Sequence, residues 1–109
     1  MQLGAMYPFS RNHNSYGMPD QAPFNQGHAA TIAARKNLQL RYSILRHYYS
    51  LYMVHNGTGS VFKPLFFEFA EDEGTMHEEV INSQFLIGDA LMVAPVLYEG
   101  FTNVSVYFP

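Results

Sequence analysis

The sequence predicts an α/β chain: one strand–helix unit, then short antiparallel strands. Three observations carry this. Residues 28–55 repeat apolar side chains every three to four positions, the helical period. After residue 60 the period shortens to about two, in short apolar runs separated by turn residues. The charge changes sign at the same place: residues 1–60 hold five bases and one acid (+4), and residues 61–109 hold one base and eight acids (−7). This order fits adjoining parts of two domains, 1–60 and 61–109, better than one closed domain.

Residues 1–6 read as the end of a helix, weakened by Gly4. Tyr7-Pro8-Phe9 reads as a short strand, because Pro8 biases Tyr7 towards extended geometry. Residues 10–27, rich in Asn, Gly, Pro and Ser, are a loop; its length points to a functional role. In the helix, Leu38, Tyr42, Leu45, Tyr49 and Tyr52 share one face. Ile44, Tyr48, Leu51 and His55 fill a neighbouring one, and Arg35, Lys36, Arg41 and Arg46 form the polar edge. Apolar on two faces, the helix is expected to be buried on several sides. Asn56-Gly57 stops it, since both tolerate left-handed geometry.

Residues 61–69 are apolar and aromatic, interrupted by Lys63-Pro64. Residues 84–88, 90–97 and 102–108 read as three short strands, with Val104, Val106 and Phe108 on one face of the last. Glu71-Asp72-Glu73 reads as a solvated turn, and Glu78-Glu79 as a helix face.

Composition narrows the classes. At 48% apolar and 16% aromatic, the 109-residue chain is far from disordered. Its 14% charged content is low for the surface of a free small domain and suits the interior of a larger protein. With no Cys, it forms no disulfide and no thiolate metal site. No dense basic patch exists to bind nucleic acid. No window reaches the roughly 18 apolar residues of a membrane helix. The first residues lack the basic start and apolar run of a signal peptide. Asn56-Gly57-Thr58 and Asn103-Val104-Ser105 are sequons, compatible with secretion.

The opening stretch, Tyr7-Pro8-Phe9-Ser10-Arg11-Asn12-His13-Asn14, resembles the segment entering the eighth barrel strand of glycoside hydrolase family 31, the α-glucosidases. It is similar to the branch holding lysosomal acid α-glucosidase, maltase-glucoamylase and sucrase-isomaltase. The likeness covers nearly the whole chain. Leu40-Arg41-Tyr42-Ser43-Ile44-Leu45 with Tyr48-Tyr49 resembles the last barrel helix, although Arg46 stands near the family's usual Pro. Lys63-Pro64-Leu65-Phe66-Phe67-Glu68-Phe69 resembles an Arg-Pro-Leu-Phe-Phe-Glu-Phe stretch, with Lys for Arg. Gln84-Phe85-Leu86-Ile87-Gly88 and Leu91-Met92-Val93-Ala94-Pro95-Val96-Leu97 are similar to the start of the β-sandwich that follows the barrel.

The resemblance implies a fold and a function. Residues 1–60 would be the last βα unit of a TIM (β/α)8 barrel, and residues 61–109 the first strands of an antiparallel β-sandwich. The parent would be a retaining exo-α-glucosidase acting on terminal α-linked glucose of maltose- or starch-like substrates. It would need no cofactor or metal and would be secreted or lysosomal. The partners implied are an α-glucoside or oligosaccharide and the rest of the parent enzyme. A non-catalytic carbohydrate-binding or structural module is the alternative.

His13 is the sharpest candidate for chemistry. Just past a strand, it would project into the open end of the barrel, where active sites lie, and imidazole can bond a sugar hydroxyl. The resemblance implies contact with the sugar in the −1 subsite. Arg11, in the same motif, is a supporting candidate. Asp20-Gln21-Ala22-Pro23-Phe24 resembles a Gln-Glu-Pro-aromatic stretch, with Ala22 where Glu is usual. Retaining glycosidases need two carboxyl groups about 5–5.5 Å apart. Residues 1–60 offer only Asp20, and both catalytic Asp motifs of the family are missing, so the chain alone is expected to be inactive. His77-Glu78-Glu79 lacks a second His at helical spacing and reads as a surface turn. His47 and His55 read as helix packing.

Overall fold

A computed structural model describes residues 1–54 and 56–109. His55, assigned above to the helix and its packing, lies outside the described residues. The chain divides into two compact units, Met1–Leu45 and Arg46–Pro109, and one long helix runs from the first into the second.

In the first unit, helix α1 spans Gln2–Met6 and buries Ala5 and Met6. A methyl at Gly4 would stand 3.1 Å from Ser10 Oγ, so the chain leaving the helix folds closely back over it. Tyr7 is extended (φ −74°, ψ 144°), yet Tyr7-Pro8-Phe9 forms a bend where a strand was expected. A strand is made by a ladder to a neighbour, and no described residue supplies one. Instead Arg41, expected on the polar edge, bonds this turn's carbonyls: its guanidinium donates to Ala5 O (2.8 Å), Tyr7 O and Pro8 O (3.0 Å). Its planar fork suits such a fan of acceptors.

Helix α2, His28–Val54, holds 27 residues. Gly27 (φ +90°) turns the chain into it, and Thr31 Oγ1 approaches the carbonyls of Gly27 (2.9 Å) and Pro23 (3.1 Å). At the far end Asn56 N–H bonds Met53 O and Gly57 N–H bonds Tyr52 O, with φ of +49° and +76°. These crossed bonds satisfy the last carbonyls, the stop expected from Asn56-Gly57.

Of the two faces of α2 expected to be buried, only the one through Ile44, Tyr48 and Leu51 is covered. Thr31, Ala34, Asn37, Arg41, Ile44, Tyr48 and Leu51 are buried or half-buried. The other face expected to be buried, Leu38, Tyr42, Leu45, Tyr49 and Tyr52, is exposed, with Tyr42 at 73% and Tyr49 at 69%. Both stripes repeat at three and four, so periodicity cannot rank them; only what packs against each can. A bare stripe this long marks an interface or an aggregation hazard. The isolated 109-residue chain is therefore expected to self-associate. A single monomeric boundary in sedimentation velocity across a concentration series would refute this.

In the second unit a sheet runs in the order β1-β2-β3, all antiparallel: β1 is Phe62–Lys63, β2 Phe85–Ile87 and β3 Leu91–Val93. The runs at 84–88 and 90–97 thus hold strands, though shorter than expected. β1 was not foreseen, because Lys63-Pro64 reads as an interruption. Residues 102–108 form no strand, contrary to expectation. Phe62 pairs Ile87 and Phe85 pairs Val93; the rings of Phe62 and Phe85 meet diagonally at 4.3 Å. β2 is buried throughout, as a central strand should be. Gly88 (φ +62°) opens the turn to β3, and a Cβ there would stand 2.6 Å from Leu51 Cδ2. His47 Nε2 lies 3.1 Å from Ile87 O; since a carbonyl only accepts, this nitrogen carries the hydrogen.

Short helix α3, Glu78–Ser83, packs Val80 with Leu65 and Leu86, and Met92 and Tyr107 close this core.

Candidate functional site

The loop carrying His13 is built from its own side chains. Asn12 Nδ2 donates to Gln21 O at 2.7 Å, across nine residues. Asn14 Nδ2 donates to Pro19 O (2.9 Å) and Met18 O (3.3 Å), while its Oδ1 accepts from Ser15 N–H (2.9 Å). His13 therefore stands between two asparagines, each tied to the opposite limb of the loop, and it is exposed. Carboxamides suit this task because each offers both donor and acceptor to passing backbone.

Asp20 holds the far limb. Its Oδ1 accepts from Ala22 N–H (2.8 Å), its Oδ2 from Asn25 Nδ2 (2.7 Å), and its carbonyl from Gln26 Nε2 (2.9 Å). Both carboxylate oxygens are occupied in shaping the turn before Pro23. Arg11 sits over the Phe9 ring at 5.9 Å, a cation–π contact at an exposed site. Motif reading singled out His13 and Arg11. It missed Asn12 and Asn14, whose role shows only once the loop closes on itself. Among the described residues no three His, Asp or Glu side chains converge as a metal site.

The second unit is held by buried polar groups. Lys63 is 8% exposed and pairs with Glu68 and with Asp89 (3.0 Å). Burial opposes its charge, but hydrogen bonds to Glu68 and Asp89, with their charges, prevail and raise its pKa above the ordinary lysine value. Gln84, 3% exposed, clasps the backbone of Tyr107: Oε1 accepts from Tyr107 N–H (2.8 Å) and Nε2 donates to Tyr107 O (2.9 Å). The Tyr107 hydroxyl donates to Asp72, with Oδ1 at 2.8 Å, and this bond, then burial and the carboxylate charge, raise its pKa. Asp72 also caps the turn at Gly74 N–H (2.9 Å), so it is not part of a merely solvated loop. A Cβ on Gly74 would fall 2.2 Å from the Tyr107 hydroxyl; only glycine leaves room for the ring.

Both raised values make the same prediction. The folded state holds the Lys63 and Tyr107 protons more tightly than the unfolded chain does. Each contribution is therefore complete below the unfolded value, 10.5 for Lys63 and 10.0 for Tyr107, and is lost as pH rises through the folded one. Urea midpoints should therefore hold up to about pH 10 and fall as pH rises further. The Lys63→Met, Tyr107→Phe double variant should flatten that limb; an equally steep limb in the variant would refute the assignment.

Comparison with known proteins follows the chain order. Residues 1–51 match the glycosyl hydrolases family 31 TIM-barrel domain, and residues 58–109 match the glycosyl hydrolase family 31 C-terminal domain. Two successive domains of one hydrolase class, matched in order, mark this as glycosidase sequence. The chain belongs to glycosyl hydrolase family 31. It is 42% identical over 104 residues to a lysosomal acid alpha-glucosidase of Tetrahymena pyriformis, covering 94% of this chain and 11% of that protein. It is 43% identical over 109 residues to the lysosomal alpha-glucosidase of Mus musculus (99% and 11%). To the intestinal sucrase-isomaltase of Homo sapiens it is 43% identical over 112 residues (100% and 6%). The chain thus spans a small part of the length of the curated relatives it matches. No solved structure matches it significantly.

Proposed function

We propose that this chain is part of a retaining exo-α-glucosidase, in which residues 1–60 end the catalytic barrel and residues 61–109 begin the β-sandwich after it. The substrate is the terminal α-linked glucose of a maltose- or starch-like chain. His13 binds the sugar at the cleavage site, Arg11 supports the loop beside it, and the catalytic carboxylate pair comes from elsewhere in the enzyme.

One observation supports this reading above the rest: the exposed His13 stands between two stapled asparagines, on a loop whose only acid, Asp20, is occupied by Ala22 N–H and the Asn25 side chain. Such a loop can hold a hydroxyl but cannot supply an acid and a nucleophile. The α-glucosidase relatives support the substrate class.

The test has two arms. The full-length protein should release glucose from a chromogenic α-glucoside, with the α-anomer formed first by NMR. The 109-residue chain should show no turnover above background. First formation of the β-anomer would refute retention. Activity in the chain that survives repurification and vanishes with Asp20→Asn would refute the placement of the carboxylates.

A further inference from the structure

After β3 the chain makes a turn that the hydrolase reading leaves unused. Phe101 N–H reaches back to Tyr98 O at 3.4 Å, with Gly100 at φ +80°. This brings the Tyr98 and Phe101 rings together, centroids 5.6 Å apart at 55°. Both rings remain exposed, at 68% and 60%. Two residues on is Asn103, the first residue of the sequon Asn103-Val104-Ser105. The two rings, Asn103 and Ser105 line one open groove, and Glu79 and Asn82 of α3 contribute polar groups to it. Residues 102–106 are exposed and belong to no helix or strand.

We propose that Asn103 is an N-glycan acceptor, and that the first N-acetylglucosamine packs on the open face of Phe101. In the transfer, Asn103 Nδ2 forms a bond to C1 of the N-acetylglucosamine of a lipid-pyrophosphate-linked oligosaccharide. The bond from C1 to the pyrophosphate oxygen breaks, and the lipid pyrophosphate leaves with its electron pair. Nδ2 gives up one proton to a base on the transferring enzyme. Ser105 supplies the hydroxyl two residues on that the acceptor motif requires. Having no ladder bonds, the segment can enter an enzyme cleft without breaking a sheet.

Phe101 gives the sugar a place to rest. An aromatic face is electron-rich, and one face of a pyranose presents polarised C–H groups, so the two stack while the hydroxyls face water. The ring lies two residues before the acceptor and lines the same groove. The other sequon differs: Asn56 is the left-handed stop of α2, and the residue two before it is Val54 rather than a ring.

The experiment expresses the full-length protein in a secretory eukaryotic cell and reads the peptide that carries Asn103. The expected result is a glycan on most copies, lost in Asn103→Gln and converted to aspartate at position 103 by an amide-cleaving glycosidase. The first sugar's ring protons should shift upfield in NMR, return to ordinary positions in Phe101→Leu, and stay shifted in Phe101→Tyr. A variant that misfolds is retained in the lumen, where acceptor use is still read on the peptide. An unmodified Asn103 in protein recovered from the lumen or the medium overturns the acceptor. Sugar resonances indifferent to Phe101→Leu overturn the packing.

Discussion

Replacing His13 with alanine in the full-length enzyme is expected to lower kcat/KM on a maltose-like substrate by about 10- to 150-fold. The transition state of glycoside cleavage is oxocarbenium-like, so charge develops on the sugar that His13 is proposed to hold. A hydrogen bond to a charged group contributes about 1.5–3 kcal/mol, and each 1.36 kcal/mol is tenfold in rate. The fold should survive, because His13 is exposed and the loop closes through Asn12, Asn14 and Asp20. His13→Gln keeps a donor and should recover part of the loss. Steady-state kinetics on the three proteins decide it: an alanine variant with wild-type kcat/KM returns His13 to a surface role.

Removing the Gln84 clasp should have the largest effect on stability. Gln84→Ala leaves Tyr107 N–H and C=O without their partner and opens a gap beside Met92, whose sulfur lies 3.3 Å from Gln84 Nε2. A buried group left unsatisfied costs about 1–3 kcal/mol, and Tyr107 is only half-buried, so the sum expected is about 2–3 kcal/mol. The Tyr107 amide should also lose its protection against hydrogen exchange, while the β2 and β3 amides keep theirs. Gln84→Glu isolates the geometry: it retains the acceptor for Tyr107 N–H but sets a carboxylate against Tyr107 O. An unchanged urea midpoint in both variants would show that the segment is held by other contacts.

The sequence by itself determined the features set by neighbours along the chain. Helix α2 follows from its unbroken period of 3.6 over residues 28–54. Its stop follows from Asn56-Gly57, two residues at ease with positive φ. The loop follows from its Asn, Gly and Pro content, and β2 and β3 from short apolar runs with a glycine between them. The family was also legible, because its motifs are strings of adjacent residues.

What spans distance was decided only by the tertiary structure. Tyr7-Pro8-Phe9 and residues 102–108 are suited to strands, but a ladder needs a partner strand. Side chains took that place: the guanidinium of Arg41 at Tyr7 and Pro8, and the carboxamide of Gln84 at Tyr107. Leu38 and Ile44 are equally apolar and equally periodic, yet only the stripe through Ile44 is covered. The motif singled out His13, while the asparagines that present it were hidden, because their partners lie up to nine residues away. Local order comes from propensity and period; which face is buried and which polar group is satisfied depend on contacts between segments far apart in the chain.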